Sequence, residues 1–145
     1  MNIKVKKIRE NARLPFRATA GSAGADLFAC IGESVEVGAG ERVLIPTGIA
    51  IEPDSPDTGA FIFPRSSLST KYGLSLANCV GVIDSDYRGE IKVPVINHSE
   101  CPYTVHDGDR IAQMVILPIL LPEFTECDRL GGTERAEGGF GSTGG

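Results

Sequence analysis

Apolar residues recur in short runs along the first 125 positions, each run closed by glycine, proline, aspartate or asparagine. Strict alternation marks Ser34-Val35-Glu36-Val37 and Glu90-Ile91-Lys92-Val93-Pro94-Val95, which sets the apolar side chains on one face of a half-buried strand. The pattern predicts strands near Ile3 to Ile8, Ala25 to Cys30, Ser34 to Val37, Arg42 to Pro46, Gly48 to Glu52 and Gly59 to Pro64. It predicts others near Leu74 to Leu76, Asn78 to Ile83, Gly89 to Ile96, Tyr103 to Val105 and Arg110 to Pro118. Many short strands at this spacing specify an all-β sandwich or barrel. Pro94 cannot donate to a ladder, which puts its strand at an edge or a bulge. One helix is expected, from Ser66 to Tyr72, with Leu68 and Lys71 as formers and Gly73 as its stop.

Composition narrows this further. A chain of 145 residues is one domain in size, and its 18 glycines and 9 prolines exclude a helical bundle or coiled coil. Seven of those glycines fall after Leu130, at 131, 132, 138, 139, 141, 144 and 145. The chain therefore divides into a β domain over residues 1–128 and a flexible glycine-rich arm over 129–145 that cannot fold alone. In the arm, Phe140 stands between glycines, where its ring would be exposed to water unless something covers it; glycine amides and the Ser142 and Thr143 hydroxyls could close on an anion. A net charge of −5 argues against a nucleic-acid partner, and the longest apolar run, Met114 to Leu121, is broken by Pro118 and too short for a membrane span. No apolar run follows the basic start, so a cytoplasmic protein is expected. Cys30, Cys79, Cys101 and Cys127 form no metal or redox spacing and are expected as reduced thiols, with Cys30 and Cys79 as small buried residues.

Four segments can carry chemistry. Asp84-Ser85-Asp86-Tyr87-Arg88-Gly89 lies between two strand-like runs and reads as a β-hairpin turn; it could hold the Asp84 carboxylate beside a pocket to deprotonate water, with Tyr87 as a flat face for a sugar or base. Pro64-Arg65-Ser66-Ser67-Leu68 ends a strand and opens the helix, where serines serve as caps or, with the guanidinium, hold phosphate oxygens. Asp26, in Ala23-Gly24-Ala25-Asp26-Leu27, is an acid at an apolar strand start and a candidate for a hydrated divalent cation. Gln113 is an amide within an apolar strand and must find a partner there. His98 and His106 lie in polar loops and read as solvent-exposed.

Taken in order, Ala23-Gly24-Ala25-Asp26-Leu27, Pro64-Arg65-Ser66-Ser67-Leu68, Gly81-Val82-Ile83-Asp84-Ser85-Asp86-Tyr87-Arg88-Gly89, Gly108-Asp109-Arg110-Ile111-Ala112-Gln113 and Arg135-Ala136-Glu137-Gly138-Gly139-Phe140-Gly141-Ser142-Thr143-Gly144 closely resemble the five motifs of the trimeric dUTPase family. The resemblance implies a jelly-roll-like β domain assembled as a homotrimer with shared active sites. It implies Mg²⁺-dependent hydrolysis of dUTP to dUMP and pyrophosphate, which keeps uracil out of DNA and supplies dUMP for thymidylate synthesis. Asp84 would be the general base for attack at the α-phosphorus. Asn78 and the backbone at Val82, Ile83 and Lys92 would read uracil, and Tyr87 would pack on the deoxyribose. Arg65, Ser66, Ser67 and Gln113 would hold the phosphates, and Asp26 would meet Mg²⁺ through water. The arm would bring Arg135, Phe140, Gly141, Ser142 and Thr143 over the nucleotide, with Phe140 stacked on the base.

Two positions depart from the family pattern. Ser67 stands where the second motif often has glycine, and Ala136 where the arm usually has glycine after its arginine; alanine matters there only if the position needs positive φ. The similar dCTP deaminases share the fold and an Arg-Ser-Ser segment but need an acid on the strand after Asp84. Residues 91–97 contain no Asp or Glu.

Overall fold

The computed structural model describes residues 1–134, 136 and 137. Among these, the strands are β1 (Ile3–Lys7), β2 (Ala25–Phe28), β3 (Val35–Val37), β4 (Arg42–Pro46), β5 (Ile49–Pro53) and β6 (Thr58–Phe63). After the helix α1 (Ser66–Tyr72) come β7 (Leu74–Leu76), β8 (Gly81–Ile83), β9 (Lys92–Asn97), β10 (Tyr103–Val105) and β11 (Arg110–Pro118). All pairings are antiparallel. One sheet runs β2-β11-β6-β8, a second β4-β9-β7, and β1-β5 and β10-β3 form two-stranded ladders. This is the all-β jelly-roll class.

The alternation read from the sequence is what closes the core. In β9, Val93, Val95 and Asn97 turn inward while Lys92 faces water. Val93 and Val95 share one apolar cluster with Leu27, Ala60, Ile62 and Met114 of the first sheet and with Ile45, Leu74, Leu76 and Leu68 of α1. Each fully buried leucine or valine here contributes roughly 1.5–3 kcal/mol through area removed from water. Asn97 is buried without penalty: its amide donates to the carbonyls of Val37 and Cys101, and its Oδ1 accepts from Ser99. No helix among the described residues is long and apolar enough to cross a membrane.

The helix occupies the expected residues. Gly73 ends it at φ 69, its N–H bonded to the carbonyls of Leu68 and Ser69, and a Cβ there would stand 2.8 Å from the Ser99 nitrogen.

Four expectations are corrected. Pro94 is not on an edge strand, since β9 lies between β4 and β7. It is tolerated because β7 pairs only as far as Val95, and Pro94 faces the strand's end, where its carbonyl accepts from Ala77. Residues 78–80 are a turn rather than strand, with Val80 N–H reaching back to the Asn78 carbonyl at 2.6 Å. That turn puts Cys79 at φ 61 and in solvent, so only Cys30 of the two is buried. Burial raises the Cys30 thiol pKa above its ordinary value, and the thiol donates to Asn11 Oδ1. All four cysteines are free thiols. Finally, β8 and β9 do not form a hairpin. β8 pairs with β6, while both edges of β9 are taken by β4 and β7, so residues 84–91 connect two different sheets.

Candidate active site

A cleft of about 320 Å³ opens where β2, β11 and the start of α1 meet, lined by Gly24, Asp26, Arg65, Ser66, Ser67, Arg110 and Gln113 together with the loop at Ala18, Ser22 and Ala23. Its organising charge is Asp26. Arg65 Nε lies 2.8 Å from Asp26 Oδ1, and the Arg110 guanidinium lies 3.2 Å from Oδ2. The carboxylate orients two cations, Arg65 also donates from Nη1 to the Arg110 carbonyl, and both arginines line the opening, where guanidinium N–H groups suit an anion.

The other donors are set by backbone. Arg65, at φ −90 and ψ 131, holds the cap position of α1 and makes no side-chain cap, so Ser66 and Ser67 occupy the first turn rather than capping it. Among the described residues neither serine hydroxyl has a hydrogen-bond partner. Gln113 finds the partner its position requires, donating from Nε2 to the Pro64 carbonyl at 3.0 Å. Directly across the ladder from Gln113 is Asp26. Gly24 explains itself by proximity: a Cβ there would stand 2.5 Å from Gln113 Oε1.

Arg110 is a cleft residue that the sequence reading gives only as the start of a strand, without a site role. Simple alternation would put positions 110 and 113 on opposite faces. The ladder slips between Arg110 and Ala112, so Ile111 and Ala112 are both buried and Arg110 and Gln113 both line the cleft. The signal was an apolar doublet between two polar residues, the mark of a β-bulge.

A second cleft, about 310 Å³, is lined by Leu44, Val82, Ile83, Asp84, Tyr87, Glu90 and Lys92. It shares no residue with the first. Asp84 is exposed at its mouth, and its carbonyl accepts from Tyr87 N–H at 3.1 Å in a tight turn. β8 pairs only with β6, so one edge of its backbone is available to a planar ligand with donors and acceptors on its rim. Asn78 does not line this cleft, although its amide lies close to Gly81.

Of the residues singled out by sequence, the structure thus gathers Asp26, Arg65, Ser66, Ser67 and Gln113 in one place and Val82, Ile83, Asp84, Tyr87 and Lys92 in another. Arg135, Phe140, Gly141, Ser142 and Thr143 lie outside the described residues. Ala136 does take positive φ, 43°, so its β-carbon costs on the order of 1 kcal/mol. His98 and His106 are exposed, as expected, and His106 bonds the Ser34 hydroxyl through Nδ1 at 2.8 Å.

Residues 10–144 match the family model for dUTPase. The chain is 53% identical to the deoxyuridine 5'-triphosphate nucleotidohydrolase of Desulfitobacterium hafniense over 99% of its own length and 97% of the relative's. It is 52% identical to that of Hydrogenobaculum sp., with 99% of each chain covered. Among solved structures it resembles a substituted dUTPase of Staphylococcus bacteriophage 80alpha with dUpNHpp, at TM-score 0.89 and 28% identity, with 99% and 98% of the two chains covered. It also resembles a substituted dUTPase from phage phi11 of S. aureus described with a structural Mg(II) ion, at TM-score 0.81 and 25% identity over 91% of this chain and 100% of that one.

Proposed function

The chain belongs to the dUTPase family and is an enzyme that hydrolyses dUTP, and from that premise we propose how its two clefts divide the reaction. The carrying observation is the convergence of Arg65, Arg110, Ser66, Ser67 and Gln113 on one opening. Two guanidiniums oriented by one carboxylate, two serine hydroxyls and an amide make a donor set for a triphosphate, whose hydrolysis asks mainly for positioning and charge neutralisation. The second cleft takes the nucleoside. The free edge of β8 at Val82 and Ile83, with Lys92 and with Asn78 beside Gly81, reads uracil, and Tyr87 lies against the deoxyribose. Cytosine would leave buried groups unpaired there, at roughly 1–3 kcal/mol for each.

Asp84 acts as the general base. Water attacks the α-phosphorus, Asp84 takes its proton, the bond from that phosphorus to the bridging oxygen breaks, and pyrophosphate departs with the electron pair. The arm residues Arg135, Phe140, Gly141, Ser142 and Thr143, within 129–145, complete the site by closing over the nucleotide and excluding other water.

The fit to Mg²⁺ is that of a cation arriving on substrate. Both Asp26 oxygens are engaged by guanidiniums, and among the described residues no three His, Cys, Asp or Glu side chains form a cage. Asp26 would therefore meet the ion through water. When bound, the ion neutralises phosphate charge.

Two clefts without a common residue support a homotrimer in which one chain's Asp84 serves phosphates held by the next. The apolar segment after β11 supports it too: Leu120 and Phe124 are 92% and 96% exposed in the single chain and call for cover.

Purified protein given dUTP and Mg²⁺ is expected to release pyrophosphate, with dCTP and UTP as poor substrates, and to scatter light as three chains. Ammonia from dCTP, or no turnover of dUTP, would overturn the reaction; a monomer would overturn the shared site. Gly24→Ala should displace Gln113 from the Pro64 carbonyl and raise KM for dUTP about tenfold, the worth of one strong hydrogen bond. Steady-state kinetics check this, and an unchanged KM would remove Gln113 from the phosphate site.

A further inference from the structure

The segment from Asp84 to Ile91 has no ladder of its own, because β8 and β9 pair into different sheets. Something else must place the Tyr87 ring. Its phenol donates to the Glu90 carbonyl at 3.2 Å, and the ring folds back over Gly89, where a Cβ would collide with the ring and hydroxyl. Tyr87 is thus located relative to residues 89 and 90, and its accuracy is that of Glu90.

Glu90 is held from three directions. Its carboxylate, only 13% exposed, accepts from Gly48 N–H at 2.9 Å and lies 3.3 Å from Arg9 Nε. Arg9 is itself fixed by donating to the Cys30 carbonyl. Just beyond, Ile91 N–H bonds the Ile49 carbonyl, and the Ile91 carbonyl accepts from both the N–H and the hydroxyl of Thr47. Gly48 sits at φ 70, and a Cβ there would stand 2.6 Å from Cys30 Sγ and 2.7 Å from Ala12 Cβ. The β4 to β5 turn is therefore a rigid anchor, and the Glu90 side chain is the tie between it and the Tyr87 loop.

We infer that Glu90 is a positioning residue for sugar discrimination: its carboxylate, clamped between Gly48 and Arg9, sets the depth at which Tyr87 meets C2′ and so the rejection of ribonucleotides. Tyr87 rejects a 2′-hydroxyl only where the gap is too small for an oxygen atom, and a misplacement near 1 Å removes that contact. The inference rests on the reading of Tyr87 as the sugar-facing side chain.

The test compares kcat/KM for dUTP and UTP in Glu90→Ala, Glu90→Gln, Arg9→Ala and Tyr87→Ala, each followed by thermal melting. Glu90→Ala is expected to lower the dUTP over UTP preference about tenfold. Glu90→Gln keeps an acceptor for Gly48 N–H and should retain most of the preference, while Arg9→Ala should fall between them. A folded Glu90→Ala enzyme with unchanged preference overturns the inference. If Glu90→Ala fails to fold, Arg9→Ala decides, and an unchanged preference there overturns it equally. Tyr87→Ala separates the two readings. If it leaves the preference intact, the sugar-facing role of Tyr87 fails and the inference with it; if it abolishes the preference while Glu90→Ala does not, only the role of Glu90 fails.

Discussion

Asp84→Asn is expected to lower kcat on dUTP by about 10²–10⁴-fold while KM stays within a few-fold of the parent value. The amide has nearly the shape of the carboxylate and leaves the turn intact, since the bond from Tyr87 N–H runs to the Asp84 backbone carbonyl, not to its side chain. What it loses is basicity. The Asp84 carboxylate is exposed at the mouth of its cleft, where it can reach a water and return the proton to solvent after each turnover. Nucleotide affinity should survive, because the proposed phosphate donors Arg65, Ser66, Ser67, Arg110 and Gln113 line the other cleft. Calorimetric titration with a non-hydrolysable dUTP analogue, beside turnover measurements, separates the two effects. Turnover within tenfold of the parent would mean that another group takes the proton.

Deletion of residues 131–145 is expected to leave a folded assembly with activity reduced by about two orders of magnitude or more. Among the described residues the apolar cluster takes nothing after Met114 in its buried part and nothing after Ile116 at its margin, so residues 131–134, 136 and 137 add nothing to it. The loss should fall on the step that needs closure. In the proposed reaction Arg135 would bring a further cation to the phosphates, and Phe140 a ring to cover the base. Melting temperature and kcat measured on the same preparation check the pair of expectations. A truncated enzyme with full activity would show that closure is dispensable, whereas one that no longer folds would show that the segment is part of the domain.

The legibility of this fold follows the range of the forces involved. Period-two alternation, turn residues and the Gly73 stop are local, and they located every strand and the helix within a few residues. Strand ends drifted where tertiary pairing decides: residues 78–80 were strand by composition but turn in fact, since β8 is paired only where β6 lies beside it. Apolarity alone places Cys79 in the interior, but that turn holds it at φ 61 and in solvent. The hairpin between β8 and β9 was the natural reading of two apolar runs around a turn. It failed because the demand of β9 for two partners was met by β4 and β7.

For the site, the order of motifs in the sequence carried the residue types and the reaction they suit. Arg110 was legible only as an apolar doublet whose meaning depends on a bulge, and the service of Glu90 to Tyr87 was not legible at all, because Gly48 and Arg9 are distant in the chain. The sequence by itself determined an all-β domain, a glycine-rich end, and a set of acids, arginines, serines and amides suited to a nucleoside triphosphate. Only the tertiary structure decided that Asp26 orients two arginines, that Arg110 and Gln113 share a face, and that Asp84 stands in a separate cleft from Arg65, Ser66, Ser67 and Gln113. The reason is physical: residue type and alternation are properties of neighbours along the chain, whereas ladder register and the convergence of charges depend on which strands find one another across a common core.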